Sequence, residues 1–144
     1  MKHRSGACVR AVLLLFPMAC LAFGGCSSPV FTVVEKQVCK GLDGSGKPLE
    51  ETTVFAPGDS RVCIWFTYRN AGAGQVVKAR FKHVDALGAE STEEVEQELK
   101  PGAGSGVVEL TGEEGGPLGV GKYTVELTNQ SDVSYGPPLA FTVQ

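Results

Sequence analysis

From residue 61 onward the chain alternates apolar and polar residues with a period of two, the spacing of half-buried strands. Over residues 61–69, Val62, Ile64, Phe66 and Tyr68 share one face. After the turn at 70–74, Val77, Ala79 and Phe81 alternate with Lys78, Arg80 and Lys82 across residues 76–84. Residues 106–111 carry Val107, Val108 and Leu110, and residues 122–128 set Tyr123, Val125 and Leu127 against Lys122, Thr124 and Glu126. A first strand over 31–40 and a last one over 139–144 bracket the series. Gly and Pro clusters at 41–48, 57–58, 101–104, 112–121 and 136–138 separate the runs, because these residues supply turns and interrupt ladders. The pattern predicts an all-β sandwich of seven or eight antiparallel strands.

Residues 91–100 (STEEVEQELK) admit two readings. Ser91 and Glu94 match a helix capping box, but a helix would gather only Val95 and Leu99 on its apolar stripe. A strand puts Val95, Gln97 and Leu99 on one face and Glu94, Glu96 and Glu98 on the other, and is the better fit. It would lie beside Lys78, Arg80 and Lys82, where opposite charges on neighbouring strands contribute roughly 0.2–1 kcal/mol per pair.

The segment Leu118-Gly119-Val120-Gly121-Lys122-Tyr123-Thr124-Val125 resembles the Gly-x-Tyr approach to strand F of immunoglobulin-like domains. The resemblance implies a corner in which the Tyr123 hydroxyl bonds back to the backbone, and an immunoglobulin-like sandwich over residues 30–144. It departs from antibody domains in two places. Val125 stands where their second cysteine would be, and Trp65 lies on the strand before the usual tryptophan position, which leaves Phe81 as the core aromatic there.

Residues 1–25 have the layout of an export signal. Lys2, His3, Arg4 and Arg10 form a positive start, an apolar run follows over 11–23, and Gly24 and Gly25 precede Cys26. The run is interrupted by Pro17 and too short to span a ~30 Å hydrocarbon core. Phe23-Gly24-Gly25-Cys26 resembles the bacterial lipobox, with Phe23 where Leu is usual. The resemblance implies a signal peptide over 1–25, lipidation of Cys26, and a tether over 26–29. Ser27 in the second mature position implies the outer membrane of a Gram-negative envelope. The alternative is ordinary cleavage after the Ala22-Phe23-Gly24 site, which leaves three cysteines and one of them unpaired in an oxidising compartment. Ser27, Ser28 and Pro29 span on the order of 10 Å, so the domain is expected close to the membrane.

Without residues 1–25 the chain holds 10 Lys+Arg against 16 Asp+Glu, a net charge of −6. This excess disfavours nucleic acid as a partner. Beyond Cys26, the two remaining cysteines, Cys39 and Cys63, fall on the first two main strands, at outward positions beside Trp65. A disulfide between them is expected, closing a loop worth roughly 3 kcal/mol in the chain-entropy model. Buried free thiols are the alternative.

Candidate chemistry is sparse. His83 is the one histidine after the signal, and no Gly-x-Ser-x-Gly motif accompanies it. Cys39, Cys63 and His83 lack the paired spacing of metal ligands. Gly41-Leu42-Asp43-Gly44-Ser45-Gly46-Lys47 matches the start of a phosphate-binding loop, but Pro48 stands where Ser or Thr must hold Mg²⁺ and no helix pattern follows. Glu93, Glu94, Glu96 and Glu98 offer paired acids of the kind a glycosidase uses, or an edge guarded by charge. Lys78, Arg80 and Lys82 form a basic stripe, either internally paired or open to an anionic glycan or peptide. The expectation is a noncatalytic, lipid-anchored envelope protein with no cofactor or metal. Its partners would be the membrane and another envelope protein.

Overall fold

The computed structural model describes residues 27–144. The expected signal and Cys26 lie outside the described residues. Among the described residues nine strands form: β1 (Thr32–Leu42), β2 (Pro48–Glu51), β3 (Val54–Phe55), β4 (Arg61–Ala71), β5 (Val76–Val84), β6 (Glu90–Glu98), β7 (Gly102–Thr111), β8 (Gly121–Thr128) and β9 (Leu139–Val143). They make one sheet in the order β2-β1-β4-β7 and a second in the order β3-β9-β8-β5-β6. The all-β sandwich is therefore as expected, with two differences. The segment 48–55 contributes two strands too short and too weakly alternating to read from sequence. One of them, β3, runs parallel to β9, so the ladder is not wholly antiparallel.

The alternating residues become the core. Val62, Ile64, Phe66 and Tyr68 from β4 meet Val77, Ala79 and Phe81 from β5, with Val108 and Leu110 of β7, Val125 and Leu127 of β8, and Phe141 and Val143 of β9. Residues 90–98 are a strand, not a helix. Arg80 lies opposite Glu94 and Lys78 opposite Glu96, and Val95 packs on the core. Pairing along β5 satisfies backbone groups and charges together, which outweighs the local capping signal. Residues 43–47 form a turn closed by Asp43, whose carboxylate accepts the N–H of Ser45 and of Lys47. No helix follows, so the phosphate-loop match carries no phosphate site.

The corner at Tyr123 forms as the resemblance implied. Its hydroxyl donates to the Gly119 carbonyl at 2.8 Å. Its ring is stacked between His83, 4.2 Å away by centroids, and Phe141 at 4.8 Å. Val125 lies opposite Phe81, and both are buried in place of a bridge between the sheets. Along the other side, Lys36 of β1 reaches the β8–β9 connection and donates to the carbonyls of Tyr135 and Pro137.

Strand register fixes the two ends of the sandwich. Thr32 pairs with Arg69, and Ala71 with Gly102, at the end where the 27–31 segment enters. Arg61 pairs with Thr111 at the opposite end. At a rise of about 3.3 Å per residue, the ends stand on the order of 30 Å apart.

Candidate functional site

The basic stripe occupies the outer face of the second sheet, and each of its cations has an acidic partner. Lys78 Nζ is 2.5 Å and Arg80 Nη2 2.8 Å from the same Asp132 oxygen. Arg80 Nε donates to Glu94 at 2.7 Å, and Lys82 lies 2.9 Å from Glu90. Hydrogen bonding to Lys78 holds the Asp132 carboxyl below the usual carboxylate range. Hydrogen bonds to Asp132 and Glu94, respectively, raise Lys78 and Arg80. The stripe thus faces an acid donated by the β8–β9 connection, which the strand pattern gave no means of placing.

Cys39 and Cys63 are directly opposite each other on β1 and β4. They do not form the expected bridge in the structure. Both are free and buried. The Cys39 sulfur instead donates to the Cys63 carbonyl at 3.6 Å, and Cys63 lies 3.7 Å from Glu109 Oε1. Burial first, and the Glu109 charge second, push the Cys63 thiol up to about 12. Trp65 is beside them, as expected, its indole N–H donating to the Gly46 carbonyl and tying the 43–47 turn to this face.

At the end away from residues 27–31, the two sheets part and leave a cleft of about 360 Å³. Phe81, Leu110, Leu118 and Tyr123 supply its apolar wall, and His83, Ser91, Glu93 and Glu113 its polar part. Glu93 lies opposite Phe81, on the same side of β6 as the core-packed Val95. The four glutamates considered as paired acids are consequently divided. Glu93 lines the cleft, whereas Glu94 is bound to Arg80 on the outer face. The alternation that assigns Val95 and Gln97 inward would, two residues earlier, have assigned Glu93 inward as well. Burial first, and then the Glu93 charge, raise the Tyr123 hydroxyl above its ordinary value.

His83 is held rather than poised. Its ring stacks on Tyr123, and Nε2 lies 3.1 Å from the Val120 carbonyl, which requires the proton on Nε2. Cys39 and Cys63 belong to the other sheet. Among the described residues no three His, Cys, Asp or Glu side chains converge as metal ligands.

No family model and no curated protein sequence matches the chain. Among solved structures, an immunoglobulin-like protein from Pseudomonas aeruginosa superposes with a TM-score of 0.61 at 16% identity, over 82% of this chain and 99% of that one. The chain has an all-β immunoglobulin-like fold. A Niemann-Pick type C2 protein from the Japanese carpenter ant aligns more loosely, with a TM-score of 0.40 at 15% identity, over 83% of this chain and 96% of that one.

Proposed function

We propose that this immunoglobulin-like domain is a noncatalytic binding module of the bacterial cell envelope. It is anchored through lipidated Cys26 and engages another envelope protein with its far end. The observation that carries this reading is the polarity of the domain. Residues 27–31 enter at one end, and the cleft bounded by Phe81, Leu110, Leu118 and Tyr123 opens at the other. A tether of three residues, on the order of 10 Å, holds the entry end near the lipid surface. The cleft then faces away from the membrane, within reach of periplasmic or surface partners. In an oxidising envelope, Cys39 and Cys63 join as a disulfide across β1 and β4, a staple and not a redox centre.

The chemistry of the end agrees with recognition. Among the described residues His83 has no nucleophile hydrogen-bonded to it, and Glu93 and Glu113 line the cleft together with Phe81 and Tyr123. The basic stripe fits an anionic ligand less well, since Asp132, Glu94 and Glu90 already occupy its cations.

Labelling cells with a radioactive fatty acid tests the anchor. The native chain should carry label and sediment with membranes, and the Cys26→Ala chain should do neither. A Cys26→Ala chain that stayed membrane-bound and acylated would remove the anchor from this reading.

A further inference from the structure

The sandwich has four sheet edges, and three of them are blunted. β3 is two residues long and β2 four. β6 carries Glu90, Glu93, Glu94, Glu96 and Glu98, and inward or edge charges of this kind discourage strand addition. β7 is different. Its ten residues hold no Lys, Arg or Pro and one acid, Glu109. It pairs with β4 without interruption from Thr111 to Gly104, and it is the last strand of its sheet. On its other side, the backbone of β7 meets no hydrogen-bonding partner among the described residues.

Two further features shape this edge. Gly104 and Gly106 carry no side chain because Tyr68 and Phe66 fill their inner space. A Cβ at Gly106 would come 2.5 Å from Phe66 Cζ. The inner side of the edge is therefore narrow along its first half. Towards its end, β7 borders the cleft, to which it contributes Leu110 and Thr111. Glu93 faces it from β6 and, unlike Glu90 and Glu94, forms no ion pair among the described residues.

We propose that β7 is a strand-addition site. An extended segment of a partner protein hydrogen-bonds along its free edge, placing apolar side chains against Phe81 and Leu110 and a basic one against Glu93. Main-chain bonds supply affinity in this mode, and alternate side chains supply specificity. The charge favours a basic partner over a second copy of this chain. Two β7 edges meeting would bring two glutamate-rich β6 strands together, and like charges across an interface oppose pairing. The inference deepens the reading of the chain as a binding module and rests on it.

The test uses the full-length chain in detergent micelles. The probe is a capped nine-residue peptide with Val, Lys and Val at positions three, five and seven and Thr elsewhere. Saturating peptide should slow hydrogen exchange at alternate amides over residues 103–110 at least tenfold. Glu93→Lys should weaken binding about tenfold and reverse the preference towards the same peptide with Glu in place of Lys. Glu93→Gln should weaken it less, with both variants melting as the native chain does. Unchanged exchange over 103–110 at millimolar peptide would overturn the proposal. So would unaltered affinity in both Glu93 variants, or a dimer that protects β7 without peptide. Peptide binding that protects some other surface would sink strand addition and leave the binding module standing. Loss of the Cys26 anchor would touch neither result.

Discussion

The Phe66 ring stands where a side chain on Gly106 would have to go, with Cζ 2.5 Å from the ideal Cβ position. The two residues are direct partners across β4 and β7, and Phe66 is fully buried. The aromatic cannot swing into solvent without opening the core. Gly106→Ala should therefore destabilise by about 1–3 kcal/mol, the usual cost of overpacking. Ser105→Ala, whose side chain points away from the core, should stay within about 0.5 kcal/mol. Adding Phe66→Leu to Gly106→Ala should recover part of the loss, since residues in contact are energetically coupled. Urea denaturation of the native chain, Gly106→Ala, Phe66→Leu and the double variant measures the coupling; strictly additive losses would show that the ring and the glycine do not compete for one space.

Tyr123→Phe isolates the corner. The substitution keeps the ring between His83 and Phe141 and removes the bond to Gly119. The Gly119 carbonyl loses its donor, and a net loss of about 0.5–1.5 kcal/mol is expected. Hydrogen exchange should accelerate first in residues 112–120, which the corner ties to β8. An unchanged midpoint would mean that water replaces the hydroxyl at no cost.

The fold was legible wherever side chains alternate over a long run. β4, β5 and β8 follow from Val62 to Tyr68, Val77 to Phe81 and Tyr123 to Leu127, because a period of two has one structural meaning. Tyr123 was legible through its glycine-spaced neighbourhood. β2 and β3 were not, since Pro48-Leu49-Glu50-Glu51 alternates poorly and two residues of β3 cannot carry a period. The cleft was half legible. Strand parity gives Glu93 its inward face, but Glu113, in a short 3-10 turn, and Leu118 reach the site from the β7–β8 connection, whose path depends on tertiary contacts. Asp132 was hidden for the same reason: only the folded β8–β9 connection brings it to Lys78 and Arg80.

That acid makes a prediction of its own. Asp132 and Glu94 together neutralise Lys78 and Arg80. The native chain should pass through a heparin column at physiological salt, and Asp132→Ala with Glu94→Ala should be retained, because Lys78 and Arg80 are then unpaired. The Asp132 carboxyl lies below its ordinary range in the folded chain. Its contribution to stability is thus present above the unfolded carboxylate value and lost as pH falls through the folded one. Acid titration of melting temperature should show a steeper fall for the native chain than for Asp132→Asn. Heparin retention of the native chain would instead mean that the acids do not mask the stripe.

Cys39 and Cys63 give a prediction with opposite pH dependence. Both thiols are pushed up, Cys63 to about 12, so the folded chain keeps protons that the unfolded chain releases above its ordinary thiol value of about 8.5. The thiols' contribution to the stability of the reduced chain is then constant below that value and declines as pH rises towards 12, because the unfolded state binds fewer protons there. A chain bridged between Cys39 and Cys63 has no thiol to titrate and should lack this decline, while unfolding later by roughly 3 kcal/mol in the chain-entropy model. Melting curves of reduced and oxidised protein between pH 7 and 10.5, with peptide mapping under nonreducing conditions, separate the two. The reduced chain should also resist alkylation at pH 8 until denaturant is added, since a buried protonated thiol is a poor nucleophile. Rapid labelling of either cysteine in the folded chain would show that this face opens. Identical pH profiles for the two forms would show that the thiols do not titrate differently on unfolding.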